Sequence, residues 1–243
     1  MTVAVDVGNS RVKWGFCRGG HVVAQASLPP DDPLAWQQQF DAWSLGPTRW
    51  ILAGVHPPRR NAFAAWLQAR EATVETLDSH RQLPLKIEVD FPDKVGMDRL
   101  LNAVAANTRR PAGHAAIIVD AGSAVTVDLV DVSGVFRGGT IFPGLRLMAQ
   151  SLHDYTAKLP FVGIGQPLSP PGTSTEKAIQ AGVYQAVLGG VERIVAELQA
   201  FARTPCEIYF TGGDADLLAQ RTTLPIQLWP EMTLEGVLLS ATK

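Results

Sequence analysis

The chain opens on the stretch "VAVDVGNSRVKWGF", two apolar runs separated by a short polar turn, with one aspartate inside the first run. Alternating apolar positions mark a half-buried strand, and the Gly-Asn-Ser cluster marks a tight turn. Val3 to Phe16 therefore predicts a β-hairpin with Asp6 at the end of its first strand. A carboxylate placed there costs energy unless something pairs with it. A second stretch, "AIIVDAGSAVTVDLVD" from Ala116 to Asp131, repeats the order. Val5-Asp6-Val7-Gly8 matches Val119-Asp120-Ala121-Gly122, and the echo in two parts of the chain predicts a duplicated domain.

The pattern between the two hairpins alternates strands with helices. "HVVAQASLP" and "RWILAGVH" read as strands. "PLAWQQQFDAWSLG", "NAFAAWLQARE" and "MDRLLNAVAANTRR" carry apolar residues at helical spacing. After Pro111 to His114 the order returns: the second hairpin, a strand around "GVFRGGTIFPG", helices, and the strand "EIYFTGG". This predicts an α/β fold with helices packed on mixed sheets, divided into residues 1–112 and 113–243.

Composition narrows the picture. The 243 residues are 46% hydrophobic with a formal net charge of −2. That is enough for a sizeable core, and the balance speaks against a general nucleic-acid binder, which would be basic. Cys17 and Cys206 lie far apart and form no disulfide or metal pattern. His21, His56, His80, His114 and His153 have no metal-ligand spacing and read as surface or loop residues. The tryptophans, mostly in predicted elements of the first half, read as packing residues. No apolar run is long enough for a bilayer and no signal peptide is evident, so the expectation is a cytoplasmic protein with no membrane partner.

Candidate chemistry gathers at the glycine-rich turns. A turn rich in Gly, Asn and Ser exposes backbone N–H groups that suit anionic oxygens. Asp6 beside it would repel a phosphate unless a magnesium ion stood between them, and Lys13 returns on the next strand as a cation. The alternative is a β-turn whose Asp and Asn cap their own backbone. Thr211-Gly212-Gly213 is either a third close-approach turn or an ordinary strand-to-helix connection. In "KVGMDRLLNAVAA" Asp98 suits a first helical turn, whereas Arg99 is electrostatically disfavoured there. An adjacent acid and cation at a helix entrance suit a substrate bearing a hydroxyl and a carboxylate.

Taken together, "DVGNSRVKWG", "GMDR", "DAGSAVTVD", "GGTIFPG" with "SLHDYTAKLP", "TSTEKAIQAGVYQA" and "TGGDA" resemble type III pantothenate kinase, in family order and over nearly the whole chain. The resemblance implies two ribonuclease-H-like halves of the actin, hexokinase and acetate kinase superfamily around a nucleotide cleft. It implies phosphorylation of pantothenate by ATP in the first step of coenzyme A biosynthesis. Carried over, Asp6, Val7, Gly8, Asn9, Ser10, Arg11, Val12 and Lys13 form the ATP phosphate loop, with Asp6 near magnesium. Gly96, Met97, Asp98 and Arg99 bind pantothenate, with Asp98 as general base. Asp120 ligates potassium or ammonium, Ser123 contacts ATP, and Thr175 contacts pantothenate, in the family from the second subunit of a homodimer. Ser10 and Ser123 stand where the family commonly has threonine, and Phe91 is the nearest aromatic where many members carry a substrate-contacting tyrosine. Ala178, Gly182, Ala186 and Gly190, spaced by four, either pack on the chain's own sheet or face a second copy. Two other readings are a nucleotide-binding regulator without activity and a kinase of the same superfamily acting on another substrate. Retention of Asp6, Asp98 and Asp120 speaks against the first, and "GMDR" with "GGTIFPG" against the second.

Overall fold

Val3, Val5 and Val7 point to one side of the first strand, Ala4 and Asp6 to the other, and this alternation sets the layers of everything around it. In the computed structural model, which describes residues 1–241, two compact units form. The first comprises Met1–Arg109 and the segment from Glu231 onward, the second Arg110–Pro230.

In the first unit β1 (Thr2–Val7), β2 (Val12–Arg18), β3 (His21–Leu28), β4 (Arg49–Gly54) and β5 (Thr73–Thr76) make a sheet ordered β3-β2-β1-β4-β5. β1 runs antiparallel to β2 and parallel to β4. α1 (Pro33–Ala42) and α2 (Pro57–Gln68) cover the face that carries Val3, Val5, Val7, Trp14 and Trp50. Five tryptophans, Trp14, Trp36, Trp43, Trp50 and Trp66, pack there with Phe63, mostly edge to face. Such pairs add about 0.5–1.5 kcal/mol beyond the area they bury. A two-residue strand, β6 (Lys86–Ile87), precedes α3 (Met97–Arg109).

In the second unit β7 (Ala115–Ala121), β8 (Ala124–Val130), β9 (Val135–Pro143), β10 (Cys206–Thr211) and β11 (Ile226–Leu228) adjoin in the order β9-β8-β7-β10-β11. Directions repeat those of the first sheet: β7 is antiparallel to β8, β8 to β9, and β10 is parallel to β7 and to β11. α4 (Leu145–Asp154), the 28-residue α5 (Thr175–Ala202) and α6 (Ala215–Ala219) pack on the face of Ile117, Val119 and Ala121, in a core that is mainly aliphatic. The predicted duplication is thus present as a repeated strand order.

The last helix, α7 (Met232–Leu239), belongs to the first unit, although residues 113–243 read from the sequence as one half. Its fit on α3 gives the reason. A Cβ on Gly236 would stand 2.1 Å from the Leu101 carbonyl oxygen, so only glycine allows this approach. Thr233 Oγ1 donates to Asn102 Oδ1 at 2.8 Å between the two helices, and Leu234 packs against Gly15 of β2. α2 also begins earlier than the pattern predicts, at Pro57, because His56 caps it by accepting the Arg59 N–H.

Candidate active site

Asp6 stands in register with Lys13 on β2 and with Ala53 on β4. Directly paired residues share a face, so Asp6 and Lys13 both lie on the side away from α2. Asp6 is 8% exposed and Lys13 half-buried. Buried Val7 and Val12 close the ladder, leaving the four-residue turn Gly8-Asn9-Ser10-Arg11 beyond it. The Gly8 N–H donates to the Arg11 carbonyl at 3.0 Å, and Asn9, Ser10 and Arg11 are exposed.

The Gly96–Arg99 corner lies at the same end of this sheet. Val7 pairs with Gly54, the last residue of β4. The next residue, Val55, would approach a Cβ on Gly96 to 3.8 Å. Carboxyl ends of parallel strands are where open α/β sheets place ligands. Asp98 folds back at the start of α3: its Oδ1 accepts the Arg99 N–H at 2.8 Å and would stand 2.5 Å from a Cβ on Gly96. Glycine at 96 therefore makes the room that the Asp98 carboxylate occupies. Met97, Asp98 and Arg99 are half-buried, as a group must be to meet both protein and substrate. Phe91 is 65% exposed, with the Lys94 ammonium 5.0 Å above its ring.

The second unit builds a related turn from different neighbours. Asp120 occupies the register of Asp6, one residue before the end of its strand, and pairs with Thr126 on β8 and Thr211 on β10. All three share one face of the sheet. The hydroxyls of Thr126 and Thr211 are buried without a hydrogen-bond partner. Only three residues, Gly122-Ser123-Ala124, separate the paired Ala121 and Val125. The carbonyl of exposed Ser123 accepts the Gly144 N–H at 3.0 Å, seating the start of α4 on the turn. Gly212, at φ +94°, closes on the other side, where a Cβ would meet the Ala121 carbonyl oxygen at 2.4 Å and Asp120 Oδ1 at 2.5 Å. Asp214 follows, its N–H donating to the Ala121 carbonyl at 2.9 Å, and burial pushes its carboxyl upward from the usual range.

Thr175 belongs to another feature. It is the first residue of α5, exposed after the Ser174 cap, and lines a groove of about 430 Å³ with Met148, Ser151, Leu152, Ala178 and Gly182. Ala178, Gly182 and Ala186 are exposed, while Ile179, Val183 and Val187 make the buried side of the helix. Ala178, Gly182 and Ala186 therefore do not pack on the chain's own sheet, whereas half-buried Gly190, the fourth member of the stripe, lies against Phe142 of β9. The structure brings Asp6 to Lys13 and Gly96 to Arg99 together in the first unit, and Asp120 with Ser123 in the second. The two threonines beside Asp120 escape a reading of sequence, because only strand register puts them there.

Comparison with known proteins supplies the identity. A family profile described as type III pantothenate kinase matches residues 2–197. A type III pantothenate kinase of Dehalococcoides mccartyi strain CBDB1 is 34% identical over 97% of this chain and 93% of its own length. One of Phenylobacterium zucineum is 30% identical, with 98% and 96% covered. Among solved structures, a Baf family protein of Campylobacter jejuni superposes with a TM-score of 0.63 at 18% identity, covering 96% of this chain and 94% of that one. The component A of (R)-2-hydroxyglutaryl-CoA dehydratase from Acidaminococcus fermentans gives 0.51 at 15% identity, with 99% and 95% covered. These structural likenesses establish a shared fold. With sequence identity across almost its full length and a profile match over most of it, the chain belongs to the type III pantothenate kinase family.

Proposed function

We propose that the family's reaction, phosphoryl transfer from ATP to the primary hydroxyl of pantothenate at the start of coenzyme A biosynthesis, is run by Asp98 as general base. The observation that carries this is the carboxylate folded over Gly96 at the head of α3, at the sheet end that also holds the Gly8–Arg11 turn. Phosphoryl transfer needs positioning and charge neutralisation more than covalent help. Asp98 accepts the hydroxyl proton as the bond to phosphorus forms. An ordinary carboxylate suffices, because the hydroxyl turns acidic only as the transition state develops. Gly96, Met97 and Arg99 hold pantothenate in line. The amides of Gly8 to Arg11, flanked by Val7 and Val12, cradle the phosphates, and Lys13 adds positive charge. Ser123 contacts ATP from its own turn.

Asp6 fits a hydrated magnesium ion. It is a lone acid at a strand end, and no cluster of three or more His, Cys, Asp or Glu suited to a metal exists among the described residues. Water and phosphate oxygens would complete the shell. When bound, the ion neutralises phosphate charge. Asp120 fits potassium or ammonium, since the Thr126 and Thr211 hydroxyls beside it are buried oxygens that otherwise lack a partner. The exposed stripe of Ala178, Gly182 and Ala186 supports a homodimer in which Thr175 reaches the partner's pantothenate. A monomer by light scattering at assay concentration would remove that part. The compartment assigned is the cytoplasm, where ATP is made and used.

The test is a coupled assay with ATP, magnesium and pantothenate on the Asp98→Asn variant. It should bind nucleotide normally and lose roughly 10²–10⁴-fold in turnover. Near-normal turnover would take the base role from Asp98.

A further inference from the structure

Arg59 is in an electrostatically poor place. It lies in the first turn of α2, where a cation opposes the helix dipole, and that turn contains no acid. Pro57 and Pro58 precede it, so two of the amides that a helix start would offer to an anion are missing. Three bonds hold the guanidinium there. Nε donates to Asp31 Oδ1 at 3.0 Å and Nη2 to Asp31 Oδ2 at 2.6 Å, a two-pronged pairing. The remaining prong, Nη1, donates to the backbone carbonyl of Asn9, 50 residues away at the tip of the first hairpin.

The Asn9 carbonyl and the Ser10 N–H belong to one peptide unit. In a planar trans peptide these two groups point in opposite directions. α2 covers the Val3, Val5 and Val7 face, so a carbonyl drawn to Arg59 is drawn to that side. The Ser10 N–H is thereby turned to the opposite side, the one that carries Asp6 and Lys13. We infer that Arg59, fixed by Asp31, is a positioning residue: it sets the peptide between Asn9 and Ser10 so that an amide of the turn donates to a nucleotide phosphate. The inference rests on the reading of Gly8 to Arg11 as the phosphate loop. A carboxylate–arginine–carbonyl relay suits the task, because the turn is exposed and its own ladder stops at Val7 and Val12.

Steady-state kinetics on Arg59→Ala, Arg59→Lys, Asp31→Ala, the double variant and Ser10→Pro decide it. Arg59→Ala should raise the KM for ATP about tenfold, the scale of a misplaced binding group, and leave the KM for pantothenate within about twofold. Arg59→Lys keeps one donor but cannot span the Asp31 fork, and should fall between. Asp31→Ala should act in the same direction, and the double variant should be no worse than Arg59→Ala, as expected of residues that work as a unit. Ser10→Pro deletes the amide itself and should also raise the KM for ATP. Arg59→Ala with a normal KM for ATP, beside a raised one in Ser10→Pro, overturns the relay and leaves the phosphate loop standing. A normal KM for ATP in Ser10→Pro removes the phosphate-loop reading itself. Equal rises in both KM values together with a fall in Tm make Arg59 a merely structural residue and overturn the proposal.

Discussion

The β1–β2 and β7–β8 hairpins sit in the same strand order and carry an aspartate at the same register, yet their aspartates meet different company. Asp6 faces Lys13 and the side-chain-poor Ala53, while Asp120 lies between two threonine hydroxyls. The first turn has four residues and is braced by an arginine side chain; the second has three and is clasped by the backbone of Gly144 and Asp214. A charged neighbour suits handling of divalent metal and phosphates, whereas neutral oxygens suit a weakly hydrated monovalent ion. The repeated frame is thus kept while the surroundings of the two aspartates differ, and the proposed division of chemistry follows that difference.

The shared frame is the most sensitive point. Gly54, the last residue of β4, and Gly212, the first residue after β10, hold matching places beside Val7 and Ala121, and a Cβ would fall 2.3 Å from the Val7 carbonyl oxygen in one and 2.4 Å from the Ala121 oxygen in the other. Both have positive φ, +150° and +94°. Gly54→Val and Gly212→Val should each cost on the order of 4 kcal/mol in urea unfolding, since they combine strain with a backbone clash. Full stability in only one of them would break the equivalence.

The divided chemistry is tested by exchanging charge for amide. Asp6→Asn should lower turnover about 10²-fold, the scale of losing a fixed electrostatic group, and should raise the magnesium needed for half-maximal rate. It should keep its response to potassium. Asp120→Asn should do the reverse, losing the response to potassium chloride over sodium chloride at constant ionic strength. If both variants lost the same ion dependence, the two aspartates would share one role.

Much of this site could be read before any coordinates. Repetition around Asp6 and Asp120 marks both hairpins, and "GMDR" marks the head of α3, because turn glycines and strand alternation are local signals. Register is not local. Thr126 and Thr211 lie 6 and 91 positions from Asp120, and nothing near them in the chain hints at their shared face. Arg59 reads as part of a helix start until its bond to Asn9 is seen. The segment Met232–Leu239 is apolar at most positions, so its periodicity names no face and no unit to pack on.

The two cysteines offer a weaker contrast between the units. Burial, with the Glu235 carboxylate adding to it, pushes the Cys17 thiol up to about 11, and burial also raises Cys206, which is more accessible. In the unfolded chain a thiol ionises near pH 8.5. The folded form therefore keeps a proton that the unfolded form has lost, so the Cys17 contribution to stability is complete below that pH and disappears as pH rises towards about 11. Thiol titration at pH 8 should label Cys206 first and Cys17 only on unfolding. Equal labelling rates would contradict the difference in burial.

The smallest expected change is at Thr211. Thr211→Val keeps the shape and removes a buried hydroxyl that has no partner, so stability should stay within about 1 kcal/mol. The potassium needed for half-maximal rate should nonetheless rise. An unaltered potassium curve would leave Asp120 to act without this hydroxyl.

The return of α7 to the first unit has a consequence for how the protein is made. Arg110–Pro230 is one uninterrupted length and can collapse on its own core as soon as it leaves the ribosome. The first unit is written in two pieces, one synthesised before Arg110–Pro230 and the other after it. Until Gly236 reaches Leu101 and Thr233 reaches Asn102, the helix that carries Asp98 in its first turn lacks its packing partner. The proposed catalytic corner is thus completed only after the second unit has been made, and a chain halted before Glu231 would carry every residue of the proposed site without the helix that packs on α3.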